Sequence, residues 1–462
     1  MTTTAMRLLR ACIPISAAAT ILFLLNATIA RAGSAPSGNI TYVGTDANIY
    51  YCDAKCAQPK CITCKGEGAH VRRADGIAPV AWPVQLPEEL PGRPGRPEEN
   101  APRPGTEYGW PTFSPDGKLL AYTSESHKKD GTSYAVYVYE IARQVSMQIF
   151  ESRSERVIYL MWLGDGKHLS FLLGEPRGLS LILAEMKESA PVRIVTTGLP
   201  LYFAWGATPG ELAVHLLAIN SERTEQVALM SLTPTSQNVD KVLSSGRTPF
   251  KNPCWSPDGK HLAYIASYHA ESNIIVADAD GKNPRSVVSL PVGENSLIWA
   301  PDSAHLAYST AITAQNPVYH GVKLVDIASA TSKWLTKVDV AAFFFSPDSQ
   351  HLLYVGVPAE KPYYIWSVID VKSGKEKALG NFLSTPDEST VYRYFDQLAV
   401  SHTIWSPDSK AFVYAGVRLK GDPEHAIGVS PPPMAYVVPI DGSEPHQIAA
   451  AVIAFFSPAA TN

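Results

Sequence analysis

The chain has 462 residues, of which 45% are hydrophobic and 10% aromatic, and this excludes a disordered or low-complexity chain. A formal net charge of −4 argues against a nucleic-acid partner, which asks for a basic surface.

Residues 1–32 read as a cleaved secretory signal peptide. Arg7 and Arg10 precede a mostly apolar run from Ala11 to Leu25, and Ala30-Arg31-Ala32 is a small-x-small cleavage site. A retained signal anchor is the alternative. Cys12 stands before most of the apolar run, badly placed for lipoprotein processing. Cleavage after Ala32 removes three Arg and no acid from the 39 basic side chains, leaving 36 against 43 acidic ones, a net charge of −7. No later segment is long and apolar enough to cross a bilayer. The expected location is the periplasm or the exterior of the cell.

Residues 33–462 read as a single all-β domain. Asn39–Gly44 and Asn48–Cys52 are strands, and a cysteine-rich hairpin follows, ending at Cys61-Ile-Thr-Cys64. Four cysteines, Cys52, Cys56, Cys61 and Cys64, lie within 13 residues. In an exported protein this spacing predicts two disulfides, with the pairing left open. The rivals are a zinc site, which usually shows two C-x2-C pairs, and haem attachment, which expects His where Lys65 stands. Cys254 is expected to be a buried free thiol beside Trp255. Residues 68–107 are rich in Pro, Gly and charge and read as an extended loop.

From Tyr108 one unit recurs. Its clearest copy is Cys254-Trp-Ser-Pro-Asp-Gly-Lys-His-Leu-Ala-Tyr-Ile265: an apolar strand, a tight turn and a second strand. Other copies begin at Phe113, Trp162, Trp299, Phe345 and Trp405. Trp205 leads a degenerate copy, and Phe456-Ser-Pro a truncated one. Counting the aromatic as zero, position +7 is Leu120, Leu169, Leu212, Leu262, Leu306, Leu352 or Phe412, and +9 is Tyr, Phe or Val. The aromatics stand 49, 43, 50, 44, 46, 60 and 51 residues apart, the period of a four-stranded propeller blade. Residues 108–449 therefore hold seven blades. An eighth forms where the strand in 450–459 pairs with the strands of 38–67 and closes the ring. Seven is the alternative count, because the Trp205 copy is weak and Phe456 is terminal.

The aromatic-Ser-Pro-Asp-Gly-Lys…Leu-Ala-Tyr pair and the hairpin Asp278-Ala-Asp-Gly-Lys-Asn-Pro284 resemble the propeller repeats of the TolB family and of the dipeptidyl peptidase IV family. The resemblance spans residues 38–459 and implies the fold. It departs from both families: TolB proteins carry an N-terminal α/β domain before a six-bladed propeller, and the peptidases carry a C-terminal hydrolase domain, and neither is expected within these 462 residues. An activity therefore does not follow from it.

The repeated Asp116, Asp165, Asp258, Asp302, Asp348 and Asp408 read as turn formers, and His168, His261, His305 and His351 as structural residues at one repeat position. The 60-residue spacing from Phe345 to Trp405 exceeds the others. It holds Arg393, Tyr394, Asp396 and Gln397, with His402 just before the next strand, the candidate binding residues on a connecting loop. A second insertion runs from Lys420 to Pro433. No catalytic motif, cofactor site or metal site is identified. The sequence predicts a monomeric, non-catalytic scaffold for another envelope or extracellular protein or an extended ligand. The rival is a hydrolase or lyase with a site around Arg393, Asp396 and His402.

Overall fold

The computed structural model describes residues 36–64, 105–175, 178–186, 192–218, 225–232, 237–245, 252–268, 271–291, 293, 295–313, 316–420 and 431–458. The expected signal peptide lies outside the described residues, as do residues 68–104 of the expected loop and 421–430 of the second insertion.

The regular structure of the described residues is antiparallel strand, apart from two short helices. It opens with β1 (Asn39–Gly44), β2 (Ile49–Asp53) and β3 (Lys60–Cys61). The unit led by Phe113 is β4 (Gly105–Phe113), β5 (Leu119–Lys128), β6 (Gly131–Glu140) and β7 (Val145–Ser152); β4 starts three residues inside the segment expected to be loop. The Trp162 unit is β8 (Arg156–Trp162), β9 (His168–Glu175), β10 (Gly178–Glu185) and the start of β11 (Arg193–Trp205). The rest of β11 leads β12 (Glu211–Ala218), β13 (Glu225–Leu232) and β14 (Gln237–Ser245). Then come β15 (Cys254–Trp255), β16 (His261–Tyr268), β17 (Glu271–Asp278) and β18 (Arg285–Leu290). The Trp299 unit is β19 (Asn295–Trp299), β20 (His305–Thr313), β21 (Asn316–Asp326) and the start of β22 (Thr331–Phe345). The end of β22 leads β23 (His351–Gly356), β24 (Tyr364–Asp370) and β25 (Glu376–Ser384). The helices α1 (Pro386–Arg393) and α2 (Phe395–Ser401) follow, then a Trp405–Phe412 bridge, β26 (Ala411–Leu419), β27 (Met434–Pro439) and β28 (His446–Phe456).

The strands do not all fall into separate four-stranded sheets. Two sheets have four strands, but β8–β14 form one of seven, and β19–β28 with β1–β3 form one of thirteen. The cause is strand continuity. β22 pairs with β21 over its first ten residues and with β23 over its last six, with register shifts along the way. β11 and β28 likewise run from the end of one unit into the start of the next. The two ends of the chain meet in the same way: β1 lies antiparallel on β28, with Ile40 opposite Phe456 and Tyr42 opposite Ala454. The side chains on both faces of this pairing are buried.

The leading aromatic does more than fill space. The indole N–H of Trp162 donates to the Thr112 carbonyl at 3.1 Å, Trp255 to Ala204 at 3.3 Å, Trp299 to Cys254 at 3.0 Å and Trp405 to Phe344 at 3.2 Å. Each acceptor is the residue just before the preceding unit's aromatic, so the indole ties one unit to the last. Trp205 reaches the equivalent carbonyl, that of Met161, through the Ser170 hydroxyl. Phe113, Phe345 and Phe456 carry no donor and make no such tie.

The turn residues behave as their chemistry requires. Ser114, Ser256, Ser346 and Ser406 each donate Oγ–H to the Asp two residues on and accept the N–H five residues on. The Ser256 hydroxyl holds the Asp258 carboxyl down to about 2. Where Leu163 or Ala300 replaces this Ser, a histidine takes over: His168 Nδ1 lies 2.7 Å from Asp165, and His305 Nδ1 lies 2.8 Å from Asp302. The repeated carboxylates are turn formers, each satisfied within its own unit.

The last turn position needs a left-handed backbone, which Gly259 adopts at φ 70°. Ser303, Ser349 and Ser409 hold it at φ 58–61°. Two of them have a compensating role, because Ser303 Oγ accepts the Asp258 N–H and Ser409 Oγ accepts the Asp348 N–H across a unit boundary. Ser349→Gly is therefore expected to stabilise the protein, by up to about 1 kcal/mol. Ser303→Gly and Ser409→Gly should be neutral or destabilising, because relief of strain is offset by the lost hydrogen bond. Thermal midpoints of the three variants check this ordering.

Candidate functional site

The long connection after β25 is helical rather than a loop. Thr385-Pro386-Asp387-Glu388 is a helix start: Thr385 Oγ1 accepts the Glu388 N–H at 3.0 Å, Pro386 fits the first turn, and the acids face the helix N-terminus. Val391, Tyr392, Phe395 and Leu398 then place one apolar face inward.

That face meets strands of many units. Phe395 packs on Tyr319, Phe343 and Phe344, with centroids 5.7, 4.5 and 6.0 Å away. Ser296 of β19 lies 3.5 Å from the Asp396 carboxylate. Tyr159 of β8 donates to Ser401 Oγ at 2.8 Å and to the Gln397 carbonyl at 3.2 Å. Thr112 Oγ1 of β4 donates to the Ser401 carbonyl, and Thr385 Oγ1 to the Val452 carbonyl of β28.

The five residues singled out from sequence divide in two. Arg393 and Tyr394 are exposed at the joint between the helices, the guanidinium 5.7 Å from the Tyr394 ring. Asp396, Gln397 and His402 are buried under the helices. His402 Nδ1 pairs with Ser401 Oγ at 2.7 Å, and its ring sits edge-on to Trp110 and Phe455. Burial pushes the imidazole down to about 3, so it is neutral at any ordinary pH. Arg393 is therefore not gathered with Asp396 and His402 into one cluster.

Glu388 is also buried. Its Oε1 accepts the Ala415 N–H at 2.6 Å, while burial raises the carboxyl to about 8, leaving it protonated at neutral pH. A carboxyl near 8 often flags catalysis. Here Glu388 lies beneath α1 and is not among the residues lining the neighbouring cleft.

That cleft, of about 280 Å³, opens beside α1. Glu107 and Trp110 of β4, Glu125 of β5, Arg156 of β8, and Asp387 and Thr390 of α1 line it. Arg156 Nη2 lies 3.2 Å from Glu125 Oε2, and His127 Nε2 lies 3.5 Å from Oε1. Trp110 sits at a break in the β4–β5 register with φ 52°, a backbone rare for a bulky residue. Its indole borders the cleft, and its ring touches buried His402. These residues lie outside the recurring sequence motif, so no motif marked them. The available signal was Glu107-Tyr-Gly-Trp110, an aromatic and charged stretch just before the first full copy.

The cysteines form two disulfides between neighbours, Cys52–Cys56 and Cys61–Cys64. The hairpin register explains the choice. Cys61 lies opposite Tyr50, so the sulfurs of β2 and β3 do not face one another. Cys254 is a buried free thiol, and burial raises its pKa. Thiol titration of the protein lacking residues 1–32 should give no reactive group when native and one when unfolded.

No family model matches the chain. Two curated relatives do: the Tol-Pal system protein TolB of Hydrogenovibrio crunogenus (strain DSM 25203 / XCL-2), 26% identical over 189 residues, covers 41% of this chain and 37% of its own length. That of Thioalkalivibrio sulfidiphilus (strain HL-EbGR7) is 29% identical over 76 residues, 16% of this chain and 18% of its own. The chain thus spans well under half the length of these relatives. A solved prolyl endopeptidase structure aligns with 77% of this chain and 50% of its own, at 14% identity and a TM-score of 0.52, a likeness of fold. Aromatic-led antiparallel units of this kind define a β-propeller. The repeats are similar to those of the TolB proteins.

Proposed function

We propose that the protein is an exported, monomeric, closed propeller of eight blades. It acts as a non-catalytic scaffold, binding another envelope or extracellular protein, or an extended ligand, on the face that carries α1 and α2. The register of β28 on β1 carries this reading, since it supplies the first strand to the β1–β3 hairpin and leaves eight aromatic-led units in sequence. A ring has no free edge strands, so specificity falls to loops and inserts at its rims. The TolB relatives are named for a Tol-Pal system, which favours a role in an envelope assembly.

On this reading Arg393 and Tyr394 are the accessible part of the insert, and the Glu107–Glu125–Arg156–Asp387 cleft is the adjoining contact surface. Asp396, Gln397 and His402 hold the insert in place. The test is a pull-down from the native envelope with protein lacking residues 1–32. Capture of a discrete partner should be lost in Arg156→Glu and kept in Lys260→Glu, a turn substitution away from the cleft. Equal capture by both variants would overturn the proposed surface, and particle images with seven lobes would overturn the blade count.

A further inference from the structure

We infer that the α1–α2 insert latches the joint between the first and last blades, the one boundary where the described residues show neither an indole tie nor a shared strand. The inference rests on the closed-ring reading.

Five unit boundaries carry an indole tie, direct or through Ser170, at Trp162, Trp205, Trp255, Trp299 and Trp405. The three led by Phe113, Phe345 and Phe456 carry none. Two of these are crossed by an unbroken strand, β22 before Phe345 and β28 before Phe456, so main-chain hydrogen bonds run through them. Among the described residues Phe113 has no such help: β4 begins at Gly105 and pairs only within the β4–β7 sheet.

The insert reaches that boundary from both sides. Thr112, the residue before Phe113, donates its hydroxyl to the Ser401 carbonyl. The next residue, His402, sits with its ring 5.9 Å from Trp110 of β4 and 4.7 Å from Phe455 of β28. Thr385 ties the other end of the insert to the Val452 carbonyl of β28. Two contacts outside the insert add to the joint: the Tyr108 N–H to the Ala47 carbonyl at 3.0 Å, and the Tyr51 ring 6.1 Å from Phe113. The units led by Trp205 and Trp255, each tied by indole on both sides, receive no hydrogen bond or ring contact from the insert among the described contacts. The insert also reaches the Trp162 unit through Tyr159 and the Trp299 and Phe345 units through Ser296 and Phe395, so it bridges the Phe113 joint as part of a wider span.

Amide hydrogen exchange on the protein lacking residues 1–32 tests this. Thr112→Val with Tyr159→Phe removes three hydroxyl bonds to the insert with little change of shape. Exchange in β1, β4 and β28 should quicken at least tenfold while β12, β13, β16 and β17 stay unchanged. Trp255→Phe should do the reverse, quickening β11, β12 and β16 and sparing β28. Quickening confined to residues 385–402, or spread evenly over all units, would overturn the latch. The closed-ring reading fails separately, and in the parent protein: β1 and β28 amides would then exchange as unpaired strands do before any substitution is made.

Discussion

Replacing Glu388 by Gln should stabilise the protein at pH 8 and leave it unchanged or weaker at pH 4. The carboxyl is enclosed under α1, and burial raises it from 4.5 to about 8. A raised acid contributes its full stability below 4.5, where folded and unfolded chains are both protonated. That stability is lost as pH rises through 8, because the unfolded chain ionises first. Linkage sets the upper bound of the loss at about 5 kcal/mol, from roughly 1.4 kcal/mol per unit. Gln keeps the acceptor for the Ala415 N–H and cannot ionise.

His402 acts in the opposite direction. Its imidazole is lowered from 6.5 to about 3, so its stability is present above 6.5 and lost as pH falls through 3. Between 4.5 and 6.5 the two slopes oppose each other and nearly cancel. In Glu388→Gln the remaining histidine slope should appear, with the variant's own stability rising from pH 3 to 6.5, while its gain over the parent grows between pH 4.5 and 8. In His402→Phe the acid slope should appear alone, falling from 4.5 to 8. Urea midpoints across pH 3–9 give all three profiles, and their differences cancel the other titrating groups. A Glu388→Gln difference that does not vary with pH would sink the assignment.

Much of the fold was legible because a propeller repeats one short piece of chemistry. Trp or Phe, then Ser-Pro-Asp and Gly or Ser, then Leu-x-Tyr could be read at sight, and each part has a structural reason: the indole tie, the Ser–Asp turn bond and the buried +7 and +9 positions. The joining of Phe456 to Ile40 followed from a truncated unit at Phe456 and a half unit at Asn39–Cys52 that complement each other. The merged sheets were not legible, because β22 and β28 carry no Gly or Pro at the place where they change partners. The candidate site was read only in part. The extra length before Trp405 pointed to the right segment, but its helix start, Thr385-Pro-Asp-Glu388, was passed over. Arg393 and His402 are nine residues apart in the chain, and a loop would have let them converge. Two short helices with one buried face send them to opposite environments. Glu107, Glu125 and Arg156 meet only when two units pack side by side, and no local pattern announces that.

Phe395→Ala should cost about 3–5 kcal/mol, among the largest effects of any single change in the insert. Phe395 is fully buried, and its ring contacts Tyr319, Phe343 and Phe344 of β21 and β22. Truncation leaves a cavity walled by strands that hydrogen bonds on both sides hold in place, so collapse can recover little of the loss. Where the cost falls is informative. If the helices are an integral part of the core, the whole protein unfolds at lower temperature in a single transition. If they are a separately melting appendage, the main transition keeps its midpoint, and only the insert becomes sensitive to protease, cleaved near Arg393 and Tyr394. The bonds from Thr112, Tyr159 and Thr385 favour the first outcome, since they tie the insert to three strands that Phe395 does not touch. Calorimetry with limited trypsin digestion separates the two, and an unshifted main transition would show the insert to be dispensable to the fold.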